Sequence, residues 1–326
     1  MLIALPVMRQ ICEQSKGMNM FKKTLKAGAL AAAIALPGLA FGQAAPAADA
    51  KPAEPKPAYT LTGNVGIFSQ YIFRGMTQTG RKPALQGGFD FAHESGFYLG
   101  TWGSNISWLK ENTTTAAGAV SGTYGEGGSL ELDFYGGYKW SLPHDFVIDV
   151  GGLYYWYPGN INPAAQLAAA PNSVPKGDTF ELYIAPSWKW VTFKYSRSML
   201  DHTFAVTNSK GTGYFELNAN PPIGDTGLTV NLHVGYQKFT GTDPRNAAVG
   251  GAARSNDSVA SYKDYKVGLS YALPKDFTVG AFWSKAAGAD VCGYGAYTQS
   301  GLGCASGPYP SNLAKSTGTV FVQKTF

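Results

Sequence analysis

The residues of this chain that could do chemistry are few and regularly placed. Charged residues make up 14% of its 326 positions. Twelve of them fall on the polar phase of segments that alternate polar with apolar: Arg74, Asp90, Glu131, Asp133, Lys139, Asp149, Glu181, Lys189, Lys194, Glu216, Asp264 and Lys266. Charges that share one face of a strand can line a water-filled lumen and bias which ions cross it. Both signs occur in similar numbers, which predicts no strong selectivity. The plainer alternative is mutual pairing across a closed interior, for example Lys139 with Glu131 or Asp149.

Nucleophilic catalysis would need a serine, a histidine and an orienting polar group brought together. His233 lies on a polar phase, with Ser196 and Ser198 in a nearby segment, but no nucleophile-elbow motif accompanies them. A lipid-acting enzyme is therefore the weaker reading, and the chain is expected not to be an enzyme. His93, His144 and His202 fall in turns or loops without metal-ligand spacing. Neither a metal nor a cofactor is expected. Gly211-Thr212-Gly213 lacks the strand, helix and lysine of a phosphate-binding loop.

Compartment follows from the N-terminus. Lys22, Lys23 and Lys26 precede the apolar run Ala27 to Leu39, and Gly42-Gln43-Ala44 supplies small residues before a cut, the pattern of a signal peptide over residues 1–44. Met18 or Met20 fits the start of such a leader better than Met1. That segment holds five of the 26 basic residues and one of the 21 acidic ones, so the net charge of +5 belongs mostly to it. Nothing basic remains to suggest nucleic acid. Of the three cysteines, Cys12 leaves with the leader. Cys292 and Cys304, in a Gly/Ser/Pro-rich stretch, then most simply form a loop disulfide in an oxidising compartment.

The elements that position the charges are strands. Residues 45–58, APAADAKPAEPKPA, read as a Pro/Ala-rich periplasmic linker. Residues 59–326 fall into about twelve segments of period-two alternation separated by turn residues: 60–73, 83–93, 96–107, 128–140, 146–157, 178–190, 191–198, 212–220, 228–240, 261–273, 277–284 and 316–326. In the first, Leu61, Val65, Ile67, Tyr71 and Phe73 share the apolar face. Leu130, Leu132, Phe134, Tyr138 and Trp140 do so in the fourth, opposite Glu131, Asp133, Tyr135 and Lys139. Connections alternate between long and tight, and the turns Leu142-Pro143-His144-Asp145-Phe146 and Leu273-Pro274-Lys275-Asp276-Phe277 resemble one another.

Alternation alone does not say whether the apolar face points into a core or out to lipid. Trp108, Trp140, Trp156, Trp188, Trp190 and Trp283 near segment ends resemble aromatic girdles at membrane interfaces, which favours lipid. The expected fold is all-β, a transmembrane antiparallel up-and-down barrel. Its partners would be outer-membrane lipid, small hydrophilic solutes or ions, and the barrel assembly machinery through the C-terminal strand ending at Phe326. A non-conducting structural or loop-binding barrel remains the alternative, with Lys285 to Lys315 as the long loop.

The stretch Leu61 to Trp108 resembles the opening of the TorF porin family. The step Tyr71-Ile72-Phe73-Arg74-Gly75 carries the likeness, followed by Pro83-Ala84-Leu85-Gln86-Gly87 and Gly96-Phe97-Tyr98. Glu131-Leu132-Asp133 and the two Leu-Pro-x-Asp-Phe turns extend it over most of the chain. The resemblance implies a Gram-negative outer-membrane barrel with a pore role and leaves the solute open.

Overall fold

A computed structural model describes residues 57–110, 113–115, 118–120, 123–168, 174–247, 253–288 and 313–326. The expected leader, nearly all of the linker, and Cys292 with Cys304 lie outside the described residues. Twelve antiparallel strands close into one barrel. They are β1 (Tyr59–Phe68), β2 (Ala84–His93), β3 (Phe97–Asn105), β4 (Leu130–Leu142), β5 (Phe146–Trp156), β6 (Thr179–Trp188), β7 (Val191–Ser198), β8 (Gly213–Ala219), β9 (Leu228–Lys238), β10 (Tyr262–Leu273), β11 (Phe277–Gly288) and β12 (Thr317–Thr325). Each pairs with its sequence neighbours, and β12 closes on β1 from Asn64 opposite Thr325 to Phe68 opposite Phe321. Phe326 continues the seam, exchanging backbone hydrogen bonds with Gly63 at 2.7 and 2.9 Å.

The barrel is inverted relative to a soluble one. Leu61, Ile67, Leu85 and Phe89 are each at least 60% exposed, while Glu131, Asp133 and Glu181 on the other face are at most 1% exposed. Apolar side chains outside and carboxylates inside are stable only where hydrocarbon replaces water around the wall, and closure then leaves no strand edge unpaired in lipid. No described helix is long and apolar enough to cross a membrane, so the strands are the crossing elements.

Turns sort to one end. Residues 94–96, 143–145, 189–190, 220–227 and 274–276 join strands tightly, while the connections at the opposite end are long. The two Leu-Pro-x-Asp-Phe turns share one geometry, with His144 and Asp145 at φ 62° and 65° and Lys275 and Asp276 at 62° and 58°. Lys189 (φ 51°) takes the turn for which the sequence had left no room between the sixth and seventh segments.

Two expectations fail at the loop end. The first segment does not run to Phe73: β1 stops at Phe68, and Ile72–Phe73 pairs with Met76–Thr77 in a short hairpin turned into the lumen. Tyr71, expected on the lipid face, is 1% exposed inside. Trp108 likewise leaves the girdle and packs edge-on to Tyr157, 5.5 Å between centroids, against the buried clusters.

Glycine and tyrosine share the inner wall. Gly137 and Gly151 face inward, and a Cβ at either would lie 2.6 Å from the Tyr98 hydroxyl or 2.5 Å from the Tyr183 hydroxyl. Each tyrosine therefore lies flat over a neighbouring strand because the residue beneath has no side chain. Replacing Gly151 by Val should displace Tyr183 and cost about 1–3 kcal/mol. Gly318→Ala, which meets nothing within 4 Å, should cost almost nothing. Urea titrations of the refolded barrel, read by the heat-modifiable band, check the difference.

Candidate functional site

The inward hairpin places its two-residue tip, Arg74-Gly75, in the lumen. Both tip residues are left-handed, at φ 44° and 77°, as a tight hairpin turn requires. Gly75 is where glycine is obligatory, since a Cβ there would press on the Asp264 Cβ at 2.5 Å and on the Lys285 carbonyl oxygen at 3.0 Å. Arg74 takes the less favoured conformation and offsets its strain through its side chain.

Its guanidinium donates from Nη2 to Glu181 Oε2 at 2.7 Å and from Nη1 to Glu181 Oε1 at 3.0 Å, a forked pair. Nη1 also donates to Gln237 Oε1 at 2.6 Å. The guanidinium carbon lies 4.0 Å from the Tyr214 ring centroid and 4.9 Å from that of Phe73. Glu181 stands on β6, Tyr214 on β8 and Gln237 on β9, so one arginine ties the hairpin to the far wall. Tyr71 at the hairpin's base donates to Glu131 Oε1 of β4 at 2.6 Å.

A second hairpin meets the first. His202–Thr203 pairs with Val206–Thr207, and its tip Phe204-Ala205 (φ 48° and 65°) is buried without any glycine. The Phe204 ring contacts Phe73 and Tyr155 edge-on at 5.5 and 5.1 Å between centroids. Thr179 on β6 accepts from the Phe204 amide at 2.7 Å. Phe204, Phe73 and the aromatics of the wall pack together in one buried apolar cluster.

The remaining predicted charges line the wall in two groups. On the β2–β7 arc, Tyr98 donates to Asp149 Oδ1 at 2.7 Å and its hydroxyl also meets that of Tyr183. Lys139, opposite Asp149 in register, lies 4.6 Å from the Tyr98 ring, and Lys194 4.3 Å from that of Tyr183. Asp90 accepts from the Tyr135 hydroxyl at 2.6 Å. On the β8–β10 arc, His233 meets Asp264 at 2.8 Å, Asn218 at 2.7 Å and the Tyr214 hydroxyl at 3.0 Å. Asn218 donates to Glu216 at 2.9 Å, and Lys266 shares the inner face with them.

Eleven of the twelve predicted residues thus reach the interior, and Lys189 does not. It sits exposed on the tight turn, its ammonium over the Trp188 ring at 4.9 Å. The polar phase of a strand stops counting once the chain turns. The serine and histidine weighed for catalysis do not meet. Ser198 accepts from Thr203 at 2.7 Å, and the partners of His233 are a tyrosine, an asparagine and carboxylates. Phe204 enters the site from a loop, and nothing in the sequence marks which loop turns inward; Gln237 and Tyr214 stand on the inward phase of their strands, but neither carries a charge that would single it out. Asp133 is fully buried with neither carboxylate oxygen hydrogen-bonded among the described residues, and Glu131 Oε2 is also unpartnered. No described cluster of His, Cys, Asp and Glu could hold a metal.

Fold and site together define a twelve-stranded barrel of membrane-crossing type whose polar lumen is closed from one end by folded-in hairpins. The chain belongs to the Gcw_chp family, described as a bacterial protein of unknown function, whose model matches residues 52–326. No curated protein matches it. Among solved structures it is similar to the KdgM porin, at 10% identity and a TM-score of 0.44 over 81% of this chain and 99% of that one. The NanC porin aligns at 10% identity and 0.40, over 82% and 98%. The toluene transporter TodX of P. putida aligns at 8% identity and 0.40, over 83% and 90%.

The Arg74–Glu181 pair is almost fully buried, at 6% and 2% side-chain exposure, so removing one partner strands the other. Arg74→Ala should destabilise the barrel by about 3–5 kcal/mol. Arg74→Lys should recover only part, because an ammonium cannot reproduce the fork. A double-mutant cycle with Glu181→Gln in denaturant titrations should return a coupling above about 1 kcal/mol.

Proposed function

We propose that this protein is an outer-membrane porin through which small hydrophilic solutes or ions diffuse passively, with the Arg74 hairpin as its constriction. One observation carries the reading. The lumen is walled by charged and hydroxyl side chains, and the Arg74 hairpin lies outside the barrel's strand ladder: side chains hold its tip to the far wall, while backbone hydrogen bonds tie its return arm to Leu313, Ser107 and Trp108. A plug of that kind can shift while the wall stays intact.

In this reading residues 1–44 direct export and are removed, and 45–58 tether the barrel in the periplasm. The tight turns face the periplasm and the long loops the exterior, where Cys292 and Cys304 form their disulfide. The C-terminal strand ending at Phe326 engages the assembly machinery. Arg74, Asp90, Glu131, Asp133, Lys139, Asp149, Glu181, Lys194, Glu216, Asp264 and Lys266 line the path. The likeness of Leu61 to Trp108 to the TorF porins supports this role, since the step Tyr71 to Gly75 that carries it is the hairpin itself. The chemistry is positional and electrostatic, and no bond is made or broken.

The packing of Phe204 against Phe73 and Tyr155 favours a second reading, a permanently filled barrel that serves through its loops. Planar-bilayer recording of refolded protein separates the two. A porin shows discrete steps, and Arg74→Ala should raise the step size or the open fraction severalfold. A folded, inserted barrel that stays silent in both forms is the structural one.

A further inference from the structure

Outward side chains of β7, β9, β10 and β11 follow one order towards the loop end: apolar residues, then an aromatic, then a cation two positions on. The pairs are Tyr195 with Arg197, Tyr236 with Lys238, Tyr265 with Lys263, and Trp283 with Lys285. Arg197 and Lys238 flank Gly213 of β8 at one level of the wall. Lys263 stands opposite Tyr236, and Lys285 opposite Tyr265, so the row continues across β10 and β11 one step lower. All four cations are exposed. Among the described residues, the outward positions of β7 to β11 hold no Asp or Glu, and the loop-end outward positions of β1 to β6 and β12 hold no Lys or Arg. The row is therefore confined to one side of the barrel and spans about 19 Å at the usual strand spacing.

A cation pointing out of a membrane wall is costly in hydrocarbon and favourable at headgroup level, where the neighbouring aromatic marks the interface. Cations of one sign with no acid among them match phosphate rather than a zwitterionic headgroup. Resting on the outer-membrane reading above, we infer that this row is a docking surface for the phosphates of a phosphorylated glycolipid in the outer leaflet. Forked or paired contacts from neighbouring strands hold the lipid against one side of the barrel.

Native mass spectrometry of the refolded barrel in detergent tests this, with bis-phosphorylated lipid A, its fully dephosphorylated form and inorganic phosphate as probes. The bis-phosphorylated lipid should bind at least about tenfold more tightly than the dephosphorylated one, the difference that one or two interfacial cations supply. R197Q/K238Q/K263Q/K285Q should abolish that preference, K263Q alone should reduce it, and the turn-end control K189Q/K275Q should keep it. Inorganic phosphate should not bind at the same concentration. Equal binding of both lipids, a preference that survives the quadruple change, or equivalent binding of inorganic phosphate would overturn the inference. Insertion into vesicles, scored separately by heat modifiability, distinguishes this from failure of the outer-membrane reading: a barrel that never inserts contradicts both, while one that inserts without phosphate preference contradicts only this.

Discussion

A guanidinium carried on a two-residue turn into the middle of a barrel has to find a carboxylate there, and the interior of this protein is arranged around that requirement. Arg74 is nearly sealed from solvent, so its charge is tolerable only because Glu181 accepts both arms of the fork and Gln237 takes a third hydrogen bond. Burial raises what such a pair costs to break more than what it contributes when made. The contact therefore specifies one position of the hairpin rather than simply adding stability. The Phe204 tip, the tyrosines on the wall and the short side chains beneath them all accommodate that position.

The inverted wall makes this arrangement possible. With apolar residues facing lipid, the interior is free to be polar, and the backbone hydrogen bonds are complete without help from the hairpins. Narrowing the lumen beside the hairpins is then a task for the wall side chains. Glycine and tyrosine supply it jointly: an inward glycine on one strand gives the ring from another strand room to lie flat, and the hydroxyl reaches a carboxylate, as Tyr98 does over Gly137 to Asp149. The balance between carboxylates and cations in sequence is uneven in space. Glu181 has its arginine, whereas Asp133 has no hydrogen-bond partner among the described residues.

Most of the wall was legible in the sequence. Period two fixes which side chains share a face, so the twelve strands, and the inward phase of the charges that stand on them, could be read from alternation and turn residues. The errors are instructive because each lies where alternation continues past the end of a strand. Tyr71 and Phe73 keep the apolar phase of Leu61 and Ile67, yet they belong to a hairpin that reverses into the lumen. Lys189 keeps the polar phase of Glu181, yet it is the turn itself. Arg74-Gly75 is a turn signal, but a local signal cannot report which side of the wall the loop takes. That depends on Glu181 and Gln237, more than a hundred residues away along the chain.

The central claim is that the Arg74 hairpin governs passage through the lumen. The most direct measurement is single-channel conductance of refolded barrel with the hairpin present and with residues 71–78 replaced by a short Gly/Ser link, insertion of both forms being confirmed by heat modifiability. The account predicts larger or more frequent steps once the hairpin is removed. Identical conductance in both forms would show that the hairpin does not govern passage, and silence in both would show that the barrel is not a channel.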